Sequence, residues 1–424
     1  MATDVDVQYF SHLNGLVLGN NWGDLIRLLD VCLVNGLPLT SITAASIDAQ
    51  GDIHLTTYAA HNSMLFQIVE LSGFVPSELN GKYRIKGTPS PNQLILKAVH
   101  VGKTVNTAGT AKLASLGYEI IFRDMNDVKR VYRAKNPRSE HPFIRVDETI
   151  SDGVSSYNSN YAKYAMVGML EHMNHIDDYE NPDVLQLPFD PVNPVKNWNI
   201  AGNGTNVVRG WSKWYWSTLR SISGSPVVDS TASPAGTKEY VLVGDSDAFF
   251  LVNAKGFNAR DRLCHGCGLF NSSQKNDIIP NWFLATVLDD AVVSTAYNFQ
   301  DKYGCTPFSS NTISPANVSK FFLTPGFNEV NKLTKHVFTN PIVPDYYTGR
   351  TGIYPVGDVS ALEVPFSAES MLRGCLKHIH YSGKVITAGV PSISETSMYL
   401  STPVGARETS GEYGGYYFYL GELE

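Results

Sequence analysis

The stretch Ser72–Lys97, SGFVPSELNGKYRIKGTPSPNQLILK, constrains the fold more than any other. Gly73, Phe74 and Pro76 break the preceding segment, and Asn80-Gly81 supplies a pair that tolerates positive φ. Lys82-Tyr83-Arg84-Ile85-Lys86 then alternates as a half-buried strand does. Gly87–Pro91 turns the chain again, and Gln93-Leu94-Ile95-Leu96 forms the next strand. Short strands punctuated by Gly, Pro, Asn and Ser recur almost to the C-terminus. The expected fold is mainly β and multidomain. A small N-terminal β-sandwich or barrel with one helix precedes a larger antiparallel β body with few short helices.

A chain of 424 residues exceeds one ordinary core. The expected units are 1–110 (helix plus small β domain), 111–290 (central β domain) and 291–424 (C-terminal β-rich region). The sequence does not separate the last two sharply. With 43% hydrophobic and 17% charged residues, the chain buries real cores and is not disordered. Its net charge is −7 and no dense Lys/Arg run interrupts it, which gives duplex nucleic acid no electrostatic footprint. Met1–Val7 lacks the basic region and apolar core of a secretory signal, so none is expected there. No apolar run approaches the roughly 18 residues of a membrane span. The cysteines Cys32, Cys264, Cys267, Cys305 and Cys375 are odd in number and scattered, so reduced thiols are expected.

Along the chain, Leu25, Leu28, Leu29, Cys32 and Leu33 recur at helical spacing over Asp24–Val34, and Asn35-Gly36 supplies the stop. Strands are predicted over Ile53–Tyr58, Leu65–Leu71, Tyr83–Lys86 and Leu94–Val99, with Val101–Ser115 as a linker. Further strands follow at Tyr118–Phe122, Lys129–Arg133 and Phe143–Val146. A second helix is predicted over Tyr161–Met173. Glu239–Val243 and Ala248–Val252 form a hairpin across the turn Gly244–Asp247. The final run Tyr416-Tyr417-Phe418-Tyr419-Leu420 is too apolar to dangle in solvent. It is therefore expected to dock in a sheet or a neighbouring subunit, and it is the candidate assembly strand.

Several constellations suggest chemistry. Cys264-His265-Gly266-Cys267 has the bite of a zinc turn but lacks a second pair, so small residues in a β-turn explain it better. His172 and His175 share helical spacing, yet no third ligand is assignable. Asp245 and Asp247 read as an acidic hairpin turn. Trp214 and Trp216 share one face of a strand; core packing is their expected use, and a glycan-stacking platform is the alternative. No nucleophile elbow, P-loop or dinucleotide fingerprint is present. No catalytic residue, metal or cofactor is expected.

The order of several short segments resembles a broad family of tailed-bacteriophage virion structural proteins. They are Asn21-Trp22-Gly23-Asp24-Leu25-Ile26, Val34-Asn35-Gly36, Ser72-Gly73, and Glu78-Leu79-Asn80-Gly81-Lys82-Tyr83-Arg84-Ile85. Leu116-Gly117-Tyr118-Glu119, Val131-Tyr132-Arg133-Ala134-Lys135-Asn136-Pro137 and Arg145-Val146-Asp147-Glu148-Thr149 follow in the family's order. So do Tyr240–Asp245 with Phe249-Phe250, and Leu372-Arg373-Gly374. Tyr118 stands where the family carries Trp, and Cys264–Asn271 lacks the family's Gly-Asp turn.

The resemblance implies a non-enzymatic virion component of the tail, collar or baseplate, assembled in the host cytoplasm. Its implied partners are copies of itself and other virion proteins, and it transfers no functional residues. The rival readings are a host-surface glycan-binding adhesin and a tail-associated glycan hydrolase. A hydrolase requires two cleft carboxylates, one with a raised pKa.

Overall fold

The computed structural model describes residues 3–150, 162–201, 208–218, 235–254, 262–274, 280–288, 322–328, 330–341, 362–382, 389–404 and 414–424. Over these the protein is mainly β and multidomain, with four seven-stranded antiparallel sheets and a two-stranded ladder.

The N-terminal sheet runs, in spatial order, Leu37–Pro38, Thr110–Leu113, Ile68–Ser72, Gly81–Ser90, Gln93–Leu96, Ile53–Thr57 and Ile42–Ile47. Gly81–Ser90 serves two ladders, pairing with Ile68–Ser72 through its first half and with Gln93–Leu96 through its second. It does not stop at Lys86: register shifts on either side of Gly87 carry it on to Ser90. The expected linker is also corrected, because Thr110–Leu113 is a strand of this sheet, with Ala111 and Leu113 buried. Its outward positions, Thr110 and Lys112, are polar, and the small polar residues before it made the segment read as a loop.

The helix forms where expected. Asp24–Leu29 is α-helical and Asp30–Asn35 continues as a π turn to Gly36, where φ is +72°. Leu25, Leu28, Leu29, Cys32 and Leu33 share a core with Ile53, Leu71, Ile85 and Leu96 of the sheet.

The central sheet orders Val287–Leu288, Ser212–Ser217, Lys163–Leu170, Phe143–Asp147, Lys129–Ala134 and Tyr118–Arg123, with Gln186–Leu187 added beside Lys163–Leu170. The helix predicted over Tyr161–Met173 is thus a strand. All eight residues of Lys163–Leu170 are buried. A strand covered on both faces shows no alternation, and periodicity alone cannot tell it from a buried helix.

A third sheet lies between two cores. It orders Gln8–Ser11, Tyr240–Gly244, Ala248–Ala254, Arg262–Leu269, Trp282–Ala285, Phe322–Thr324 and Val337–Phe338. Leu242, Phe249, Leu251 and Leu284 join the core that begins at the helix, while Val241, Val243, Phe250 and Phe283 join a second core. Alternation along each strand feeds both. The N-terminal strand Gln8–Ser11 sits at this sheet's edge, paired with Tyr240–Gly244.

The C-terminal sheet closes the second core. Its order is Asn340–Pro341, Leu362–Ala368, Met371–Ser382, Gly414–Glu422, Ser397–Val404 and Pro391–Ser394, with Asn271–Ser272 added beside Met371–Ser382. The candidate assembly strand is inside this sheet. Residues 415–418 pair with 379–382 on one side, and 414–422 pair with Ser397–Val404 on the other. Tyr416, Phe418 and Leu420 point into the second core. The run therefore docks in its own chain, with residues 416–418 paired on both sides, which removes the reason to expect pairing with another subunit there.

Candidate functional site

The sequence candidates do not converge. Trp214 and Trp216 are fully buried. Trp214 stacks on His265 with ring centroids 5.6 Å apart, and Trp216 meets Trp22 edge-on at 5.8 Å. Neither ring is available as a glycan platform. Cys264 and Cys267 lie within the buried strand Arg262–Leu269 and not in a turn. Their side chains belong to different cores, one on each face of the sheet, so two thiols three residues apart cannot grip one ion. His172 and His175 are exposed in the loop after Lys163–Leu170. Among the described residues no group of three His, Cys, Asp or Glu is placed to hold a metal.

The acidic turn does more than close a hairpin. Asp245 caps it, accepting hydrogen bonds from the main-chain N–H groups of Asp247 at 2.8 Å and Ala248 at 3.0 Å. Its other oxygen lies 3.0 Å from His378 Nε2. Burial pushes the Asp245 carboxyl up, but the His378 contact and the two main-chain hydrogen bonds together hold the group below the usual carboxylate range. Asp247 receives His141 Nε2 at 2.8 Å, Arg138 Nη2 at 2.9 Å and the Lys377 ammonium. The His141 bond, then Arg138 and Lys377 against the opposing effect of burial, holds Asp247 far below that range.

Lys377 and His378 reach this turn because their strand bulges. Glu363 pairs with His380 and Pro365 with Cys375, so one residue of Leu362–Ala368 faces four of Met371–Ser382. His378 takes a left-handed φ of +63°, unusual for a residue with a side chain. Gly374 lets Asn271–Ser272 join the same strand, because a Cβ there would lie 2.0 Å from the Asn271 carbonyl oxygen.

Beside the bulge, on the outer face of the C-terminal sheet, lies a cleft of 530 Å³. Glu363, Lys377, His378 and His380 line one side, and Ser397, Tyr399, Tyr419 and Glu422 the other. Tyr399 and Tyr419 are register partners with ring centroids 5.6 Å apart, and His380 meets both edge-on at 6.1 Å. Glu422 accepts hydrogen bonds from the hydroxyls of Ser397 and Thr396, each at 2.6 Å, and from the Tyr419 hydroxyl. These bonds hold its carboxyl below the usual range. Burial holds the His380 imidazole below its ordinary value, which keeps it neutral near pH 7.

Sequence reasoning did not find this cleft. Alternation in Tyr416–Leu420 does foretell Tyr419 facing away from the core, but no local signal marks the bulge that aims Lys377 and His378.

No family model and no curated protein sequence matches the chain. Among solved structures, one titled "Phage phi92 endosialidase" aligns with 91% of this chain at 9% identity, with a TM-score of 0.15. The alignment covers 52% of that protein, about half its length. A likeness at that level establishes neither a shared fold nor a shared activity.

No helix among the described residues is long and apolar enough to cross a membrane.

Proposed function

We propose that this chain is an architectural, non-enzymatic component of a tailed-phage particle, in the tail, collar or baseplate, working in the virion with copies of itself and other virion proteins. The observation that carries the reading is that the segments resembling that family touch one another in the fold. Glu148 of Arg145–Thr149 accepts hydrogen bonds from the main-chain N–H groups of Gly23 and Ile26, inside Asn21–Ile26. Tyr118 of Leu116–Glu119 packs edge-on against Phe249 at 5.7 Å. The Tyr132 hydroxyl of Val131–Pro137 donates at 2.7 Å to Asp30, which lies between Asn21–Ile26 and Val34–Gly36.

Two experiments test the proposal. Mass spectrometry of purified particles should find the chain in stoichiometric amounts, and light scattering should find the isolated protein associated. A symmetric interface would bury roughly 1,000 Å² or more. Absence from purified virions together with a monodisperse monomer at high concentration would refute it.

A further inference from the structure

We infer that the cleft between Glu363, His380, Tyr399 and Tyr419 is a binding site for a neutral saccharide. The site does not depend on where the chain sits in a particle.

Charge excludes most other small ligands. Among the described lining residues the one ammonium, Lys377, is engaged by Asp247. His378 is engaged by Asp245, at 3.0 Å. Among the described residues that line the cleft, no cationic group is left to meet a phosphate, a carboxylated sugar or a nucleotide, and Glu363 and Glu422 repel them. What remains is a set of acceptors and hydroxyl donors around two aromatic rings.

That set matches a polyol. A sugar ring presents hydroxyls at its rim and C–H groups on its faces. Tyr399 and Tyr419 supply amphipathic surface for the faces at low entropic cost. The exposed Glu363 carboxylate accepts from sugar hydroxyls by charge-assisted bonds. The volume of 530 Å³ lies within the usual range for small-ligand sites, roughly 300–1,000 Å³.

The site is also preorganised. Glu422 is fixed by three hydroxyls and in turn fixes Tyr419, and the bulge is pinned by Asp245 and Asp247. Glu422 is thus a positioning residue. The hydroxyls hold its carboxyl below the usual carboxylate range, so Glu422 is not the raised acid that glycoside hydrolysis needs, and the role inferred for the cleft is binding.

The test uses the full chain on an array of neutral, amino-sugar and acidic oligosaccharides, followed by calorimetric titration of the best neutral binder. Neutral oligosaccharides should bind. Tyr399→Ala and Glu363→Gln should each weaken binding about tenfold or more, whereas Tyr58→Ala, on the N-terminal sheet, should leave it unchanged. If Tyr399→Ala fails to fold, Glu363→Gln decides, because its side chain is exposed. Binding of acidic glycans alone, no binding of any neutral glycan, affinity undiminished in Glu363→Gln, or shortening of the bound oligosaccharide would each overturn the inference.

Discussion

Arg84 Nη2 donates a 2.8 Å hydrogen bond to the main-chain carbonyl of Leu420, 336 residues further along the chain. The same guanidinium donates to the carbonyls of Asp4, Val7 and Phe66. One buried side chain thereby ties the N-terminal segment, the N-terminal sheet and the last strand together. Asp4 and Glu422 add a main-chain bond of 2.8 Å at the same junction. Replacing Arg84 with Ala leaves these carbonyls without their donor, and a loss of about 3 kcal/mol or more is expected. Arg84→Lys should recover only part of it, since an ammonium cannot reproduce the planar fork. Urea denaturation measures the loss, and hydrogen exchange should show Gly414–Glu422 loosening first. Unchanged exchange in that strand would refute the clamp.

Trp214 and Trp216 sit fully buried in the core that reaches from the helix to the third sheet. Truncation of either to Ala removes a large packed side chain and leaves a cavity, which costs about 3–5 kcal/mol. Soluble, normally melting variants of both would contradict that placement.

How much of this was legible in the sequence depends on whether its cause was local. The helix at Asp24 was readable because Leu25, Leu28, Leu29, Cys32 and Leu33 bury one face against one sheet. The hairpin at Gly244–Asp247 was readable from its turn chemistry. Lys163–Leu170 was not, because burial on both faces erases the alternation that marks a strand. The Cys264–Cys267 run misled in a related way: its small residues read as a β-turn, while it lies in a buried strand whose pleat sends the two thiols to opposite cores. The cleft was beyond reach for a different reason. Its walls come from several strands, and the bulge that shapes one wall places His378, not a glycine, at positive φ.

The opposite-face arrangement of Cys264 and Cys267 removes this pair as a zinc site, and the melting temperature is expected to be independent of chelator. Excess EDTA should leave it unchanged, and elemental analysis should find no stoichiometric zinc. A large drop in melting temperature with about one zinc per chain would require another arrangement of these thiols.

His265 gives the fold an acid-sensitive element. It is buried, stacks on Trp214, and has Nε2 3.1 Å from the Tyr215 carbonyl oxygen. Burial lowers its pKa from 6.5 to about 4, only partly offset by that hydrogen bond. The unfolded chain takes up the proton first as pH falls, so the contribution is complete above pH 6.5 and is lost toward pH 4. By pH 4 the loss amounts to at most about 3 kcal/mol. His265→Phe keeps the stacking and removes the titration, so its stability should rise relative to the wild type's as pH falls from 7 to 4. Parallel profiles would show that another group controls that limb.

Glu148 has the opposite sign. It is fully buried and accepts the Ile26 N–H at 2.8 Å and the Gly23 N–H at the start of the helix. Burial raises its pKa from 4.5 to about 7, against those two hydrogen bonds. Below pH 4.5 both folded and unfolded chains hold the proton, and the stabilisation is complete. As pH rises toward 7 the unfolded chain ionises while the folded one resists, so stability declines, by at most about 3 kcal/mol. Since His265 acts in the same window with the reverse slope, the wild-type profile should be nearly flat there, and single variants are needed to separate the two. Glu148→Gln cannot ionise. It should lose stability relative to wild type at pH 4.5, where the protonated acid is well accommodated, and recover relative to wild type at pH 8. Urea midpoints measured at both pH values decide the matter: a constant difference would mean that Glu148 does not titrate in this range.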